Sequence, residues 1–172
     1  MKRSDIEAKY HEIVEYWFTR EDECGLSVDA ADAYERCWRC GYKVPLEKCH
    51  IIPKSLGGEA IPSNLVLLCH RCHLENPNVT DPEIMWDWIR AYGTSLYDTF
   101  WTLEGMKEYR IMYGKSFEEE WKECEMNDIE GISKLLGEEL KKTTFHFGQP
   151  YINSATIAGV LRIILKKTAG KY

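Results

Sequence analysis

Two Cys-x-x-Cys turns, Cys37-Trp38-Arg39-Cys40 and Cys69-His70-Arg71-Cys72, constrain this chain more than any other feature. Each such turn presents two sulfurs at the bite of a tetrahedral zinc ion, so the pair reads as one closed four-thiolate site. His70 is a second-choice substitute for one of the four sulfurs. Between the turns, Pro45, Pro53, Gly57-Gly58 and Pro62-Ser63 break the chain repeatedly. A segment so rich in turns cannot bury enough apolar surface by itself and needs a staple. Gly41, directly after Cys40, suits the tight turn that a knuckle requires. Four unrelated core thiols would have to fall into this pattern by coincidence. Structural zinc sites leave no open coordination position, so the knuckles alone are silent on catalysis.

The chain has seven cysteines, an odd number, and zinc accounts for four; Cys24, Cys49 and Cys124 are left over. A disulfide framework is therefore not expected. The stretch Met1-Lys2-Arg3-Ser4-Asp5-Ile6-Glu7 turns acidic where a secretory signal needs an apolar run, which gives a cytoplasmic expectation. No stretch is apolar enough to span a bilayer. The net charge of −6 and pI near 5.4 oppose the basic footprint usual for nucleic-acid proteins. The charge is uneven, however. From Cys37 to Asn78, Arg39, Lys43, Lys48, Lys54 and Arg71 face only Glu47, Glu59 and Glu75, a local balance of +2 on an acidic body. Binding of phosphate by such a segment is weak and strongly salt-dependent.

Periodicity outlines the rest. Ser4 and Glu7 form a capping-box pattern ahead of Ile6, Tyr10, Ile13, Val14, Trp17 and Phe18, predicting a helix to about Arg20. A short helix is predicted over Val28–Arg36. Leu46–Ile52 and Leu65–Leu68 read as two antiparallel strands, followed by a short helix over His70–Glu75. Asp81-Pro82-Glu83 opens a helix whose buried side would be Ile84, Met85, Trp88, Ile89 and Tyr92, with Gly93 as its stop. Further helices are predicted near Leu96–Tyr113, Phe117–Cys124, with Ser116 and Glu119 as its capping box, and Ile129–Lys142. Thr143–Phe147 alternates weakly and reads as extended. Ile157, Val160, Leu161 and Ile164 mark a last helix ending in Lys166-Lys167. Trp86 and Trp88 could stack on bases, but packing in a core is the better reading.

Within the zinc frame, His50, Asn64 and His73 recur beside turns and strand ends, and Gly57-Gly58 gives a loop whose backbone can approach a phosphate closely. The run Cys37-Trp-Arg-Cys-Gly, then Leu46-Glu-Lys-Cys-His-Ile-Ile-Pro-Lys-Ser-Leu-Gly-Gly, then Ser63-Asn-Leu-Val-Leu-Leu-Cys-His-Arg-Cys-His, resembles an HNH endonuclease. The flanking helices carry no such likeness. The resemblance implies a ββα-metal fold in which His50 is the general base that activates a water, as suits a side chain titrating near neutrality. It implies that Asn64 braces the loop that aims His50, and that His73 binds one divalent cation on the scissile phosphate. The implied products are a 5′-phosphate and a 3′-hydroxyl.

The chain departs from the family pattern at two places. Cys49 stands where a second hard metal ligand is usual, and Pro77 where many members carry another His. A thiolate is a poor ligand for Mg²⁺. Cys49 with His73 would favour Zn²⁺, Ni²⁺, Co²⁺ or Mn²⁺; His73 alone could hold a hydrated ion; or the finger has kept nucleic-acid binding without cleavage. Glu75 and Asn76 are further candidates to assist.

The expectation is thus an α+β chain: a small zinc-stapled ββα-metal module over 37–78, embedded between N-terminal helices (1–36) and a helical C-terminal region (79–172) that packs on it. The expected activity is divalent-dependent hydrolysis of double-stranded DNA. Structural Zn²⁺ would sit on Cys37, Cys40, Cys69 and Cys72, and the second ion on His73 and Cys49. Arg39, Lys43, Lys48, Lys54 and Arg71 are the expected phosphate contacts. The alternatives are a non-catalytic zinc module that binds nucleic acid, and a protein-interaction or homodimer surface on the C-terminal helices.

Overall fold

The computed structural model describes residues 8–20, 26, 28–91, 97–124, 129–144 and 151–170. The chain divides into two compact units, Met1–Phe100 and Trp101–Tyr172. Among the described residues there are seven α-helices and one two-stranded sheet, an α+β architecture. No helix among them is long and apolar enough to cross a membrane.

In the first unit, α1 (Tyr10–Phe18) buries Ile13, Val14 and Trp17 on one face. It starts later than predicted, where the Glu12 carboxylate accepts the Lys9 amide at 2.7 Å; Ser4 and Glu7 lie outside the described residues. The segment predicted as a helix over Val28–Arg36 is instead a run of turns. The Ala33 carbonyl, which a helix would have used, accepts the Trp38 indole N–H at 2.9 Å. That bond fixes the indole of Trp38, a residue of the first knuckle that is 1% exposed.

Strands β1 (Leu46–His50) and β2 (Leu65–Cys69) pair antiparallel, with Leu46 opposite Cys69 and His50 opposite Leu65. All five residues of β2 are buried. Its outward carbonyls are occupied: Leu65 accepts the Trp17 indole at 2.8 Å and Leu67 accepts the Trp38 amide at 3.1 Å. On β1, the Leu46 carbonyl accepts the Tyr10 hydroxyl at 2.6 Å. Helix α2 (His70–Glu75) follows β2 without a loop. Asp81 caps α3 (Pro82–Ala91) by accepting the Glu83 amide at 3.0 Å. The buried side of α3 is Met85, Trp86 and Ile89 rather than a face containing Ile84, which is exposed; Tyr92 and Gly93 lie outside the described residues. Trp86 meets Trp17 edge-on at 4.5 Å, so it packs in the core as expected.

The second unit contains α4 (Phe100–Tyr113, all but its first residue), α5 (Phe117–Glu123), α6 (Ile129–Leu140) and α7 (Ser154–Thr168). Ser116 and Glu119 form the capping box of α5 as read from the sequence. Asn153 caps α7 by accepting the Thr156 amide at 2.8 Å. Tyr109, Phe117, Ala158, Leu161 and Leu165 make its core. Gly105 lets α4 and α7 approach: a Cβ there would lie 2.2 Å from Ile157 Cγ2. Two half-buried polar ties add to this packing. Glu120 accepts from Tyr109 and Arg162, and Glu139 on α6 pairs with Lys167 on α7 at 2.7 Å. Thr143 and Thr144 form no strand, and residues 145–147 lie outside the described set.

Candidate functional site

Cys37, Cys40, Cys69 and Cys72 are all buried, with their sulfurs within 4.8 Å of one another. Cys40 and Cys69 sulfurs are 3.8 Å apart. Zinc–sulfur bonds of about 2.3 Å in a tetrahedron put sulfurs about 3.8 Å apart, so the cluster fits a zinc ion. The first knuckle is shaped by Gly41, at φ +71°, whose amide bonds the Cys37 carbonyl at 2.8 Å. It is pinned to β2 through the Trp38 amide. The second knuckle forms at the β2–α2 junction, where Cys69 caps the helix and accepts the Cys72 amide. Burial alone would raise the Cys37 thiol, but hydrogen bonds from Cys40, Cys69 and Cys72 drive it well below the ordinary thiol range. Four sulfurs this close together, all as free cysteines, match the donor set of a tetrahedral metal site.

Arg39, expected at a phosphate surface, lies inside and is 5% exposed. Its guanidinium donates to Glu75 at 2.8 Å and to the Cys72 sulfur at 3.6 Å, and stacks 4.0 Å over Trp88. It therefore places a cation beside the cysteine cluster and ties that cluster to α3. Arg71 likewise turns toward Glu75, at 3.6 Å, with its side chain 11% exposed. The structure does not bring these two arginines to the cleft described next. Lys43 is exposed and paired with Glu35. Lys48 donates to the Ala8 carbonyl at 3.2 Å.

Cys49, His50, Pro53, Lys54, His73, Asn76 and Asn78 line a shallow cleft of about 130 Å³. This cleft gathers both histidines and one of the five expected phosphate cations. His50 is half-buried at the end of β1, with its Nε2 shielded from solvent. Asn64, at the head of β2, bonds across the loop: its Oδ1 accepts the Ile52 amide at 2.9 Å, and its Nδ2 donates to the Ile52 and Glu59 carbonyls at 3.0 and 2.9 Å. The Ile51 amide donates to the Asn64 carbonyl at 2.9 Å. These bonds fix the backbone immediately after His50. The loop also needs Gly58, because a Cβ there would lie 1.8 Å from the Ile52 carbonyl oxygen and 2.7 Å from Asn64 Nδ2. Gly58→Ala is accordingly expected to lower stability by about 1–3 kcal/mol in urea denaturation. It should also loosen the Asn64 brace; an unchanged midpoint would show that the loop yields freely.

Cys49 is 1% exposed, and burial pushes its thiol up to about 12. It remains a protonated thiol near neutral pH, a weak donor to a hard cation. His73 brings a second imidazole to the cleft beside His50, with the Asn76 and Asn78 amides as further polar groups. One participant was not apparent from motif spacing. Glu47 on β1 accepts from His73 Nδ1 at 2.7 Å and lies 2.9 Å from His70 Nδ1. Burial opposes its charge, but hydrogen bonds from His73 and His70 hold its carboxyl below the ordinary range. The available signal was the pairing of a strand Glu with two His at i and i+3 on the next helix.

Residues 35–78 match the family model of the HNH endonuclease, which covers both knuckles and all the cleft residues. No curated protein and no solved structure matches the chain.

Proposed function

We propose that this HNH module is a metal-dependent nuclease that hydrolyses a phosphodiester bond of double-stranded DNA. The convergence of His50, His73 and Lys54 on one cleft beside a zinc-fitting cluster is the observation that supports this most. His50 takes the proton of a water as that water attacks phosphorus. The bond from phosphorus to the 3′-oxygen breaks, leaving a 5′-phosphate and a 3′-hydroxyl. Asn64 keeps the backbone after His50 from drifting, which holds the base in line. Lys54, at the cleft rim, supplies a positive charge for the phosphate, while Lys43 and Lys48 extend it more weakly along the module. His73, with Cys49 as a softer neighbour, would hold a divalent ion. When bound, such an ion supplies Lewis-acid polarisation of the phosphate. An imidazole-centred set accommodates Mn²⁺, Co²⁺, Ni²⁺ or Zn²⁺ more readily than Mg²⁺.

The test is plasmid nicking across Mg²⁺, Mn²⁺, Co²⁺, Ni²⁺ and Zn²⁺ for wild type, His50→Ala and Cys49→Asp. The expected result is cleavage with the softer ions that depends on His50, and a shift toward Mg²⁺ in Cys49→Asp, because a carboxylate is a hard ligand. No cleavage by wild type with any ion, together with salt-sensitive DNA binding, would replace the nuclease with a binding module.

A further inference from the structure

Glu47 engages both oxygens of one carboxylate with two imidazoles of a single helix turn: Oε2 with His73 Nδ1 at 2.7 Å and Oε1 with His70 Nδ1 at 2.9 Å. An ionised carboxylate only accepts, so the nitrogen facing it on each ring carries the proton. His73 is thereby set in its Nδ1–H form, and Nε2 becomes its lone-pair nitrogen. The ring is also fixed in space from two directions. Its backbone follows Cys72 directly, so the cysteine cluster sets where its Cα stands. The carboxylate comes from β1, where Glu47 is held opposite Leu68. His70, whose side chain is 65% exposed and does not line the cleft, keeps Oε1 occupied and so prevents the carboxylate from turning away from His73.

We propose that Glu47 is a positioning residue for the divalent-ion site: it selects the His73 tautomer and aims Nε2 as the ligand atom. This rests on the reading of the cleft given above. A carboxylate behind a ligating histidine both orients the ring and strengthens it as a donor, and loss of such a partner typically costs 10–100-fold in metal affinity. Here it also addresses the weakness of the ligand set. A randomly rotating ring would present the wrong nitrogen part of the time.

The experiment uses the zinc-loaded full chain and Mn²⁺ as the probe. Mn²⁺ binding is measured by electron paramagnetic resonance in wild type, Glu47→Ala, Glu47→Gln, His70→Ala and His73→Ala. Zinc content is checked for each. His73→Ala should abolish the Mn²⁺ site. Glu47→Ala should weaken it by about 10–100-fold, with zinc content unchanged. Glu47→Gln should recover part of the loss, because its amide oxygen still accepts one N–H. A second readout needs no added ion: ¹⁵N NMR should find His73 as Nδ1–H in wild type and shifted toward Nε2–H in Glu47→Ala.

Mn²⁺ affinity lost in His73→Ala but retained in Glu47→Ala would overturn the role of Glu47 and leave the nuclease reading standing. An Nε2–H tautomer of His73 in wild type would do the same. Mn²⁺ binding indifferent to His73→Ala would overturn the ion site itself, and the role of Glu47 with it.

Discussion

His50→Ala should lower divalent-dependent nicking by about 10²–10⁴-fold, the range that a positioned general base supplies, while zinc content and folding stay intact. The separation of chemistry from fold follows from where the side chain sits. The backbone of His50 is held by β-pairing with Leu65, and the next amide bonds the Asn64 carbonyl, so alanine keeps both. The ring lines the cleft and belongs to neither the apolar core nor the cysteine cluster. Alanine removes the ring that the proposed reaction uses as its proton acceptor while keeping these backbone bonds. Single-turnover nicking with saturating Mn²⁺ is the measurement, with Mn²⁺ affinity followed in parallel. A variant as active as wild type would mean that another group accepts the proton and that the cleft is misread.

Removing zinc should have the largest effect on the fold. Chelation, or Cys40→Ser, is expected to abolish the tertiary structure of the first unit while the helices of residues 101–172 persist. Structural zinc in small fingers supplies about 10–16 kcal/mol of apparent binding free energy at neutral pH. That is comparable with the whole stability of an ordinary domain, about 5–15 kcal/mol. All four cysteines lie in the first unit. Without them the segment that turns at Pro45, Pro53 and Pro62 keeps a two-stranded ladder, which is marginal alone, and a few side-chain bonds such as those of Asn64. Trp38, bonded to the Ala33 carbonyl from within the first knuckle, and Arg39, bonded to Cys72 and stacked on Trp88, carry the loss into the surrounding core. Near-ultraviolet circular dichroism from the buried tryptophans of the first unit reports the collapse, and far-ultraviolet dichroism reports the surviving helices. Stoichiometric zinc release without change in the tryptophan signal would show that the apolar core carries the unit by itself.

The parts legible in the sequence are those whose information is local. The spacing within each knuckle encodes a metal bite, so the cysteine cluster forms as read. The strands, the helix after the second knuckle and the caps at Asp81 and Ser116 also appear where turn and capping chemistry placed them. What escaped depends on partners distant in the chain. Val28–Arg36 has helical spacing, yet Trp38 claims its carbonyl at Ala33. Arg39 and Arg71 count as surface cations in any tally of charge, but Glu75 and Trp88 draw them inward. Ile84 and Trp86 are both plausible core residues on α3, and only the position of Trp17 selects the second. Glu47 carries no motif of its own; its role exists only once β1 lies against α2.

A ladder of two strands has two open sides, and each is a potential template for a strand from another molecule. Here the tryptophans answer that hazard as well as filling the core. On β2, the carbonyls of Leu65 and Leu67 are already bonded to the Trp17 indole and the Trp38 amide, and on β1 the Tyr10 hydroxyl covers Leu46. These three outward acceptors are thus spent on side chains and an amide from the same unit. An arriving strand would have to displace the Trp17 indole and the Trp38 amide before it could bond these β2 carbonyls. The strand richest in aliphatic residues, Leu65-Val66-Leu67-Leu68, is therefore shielded from intermolecular growth by the same contacts that hold it in place.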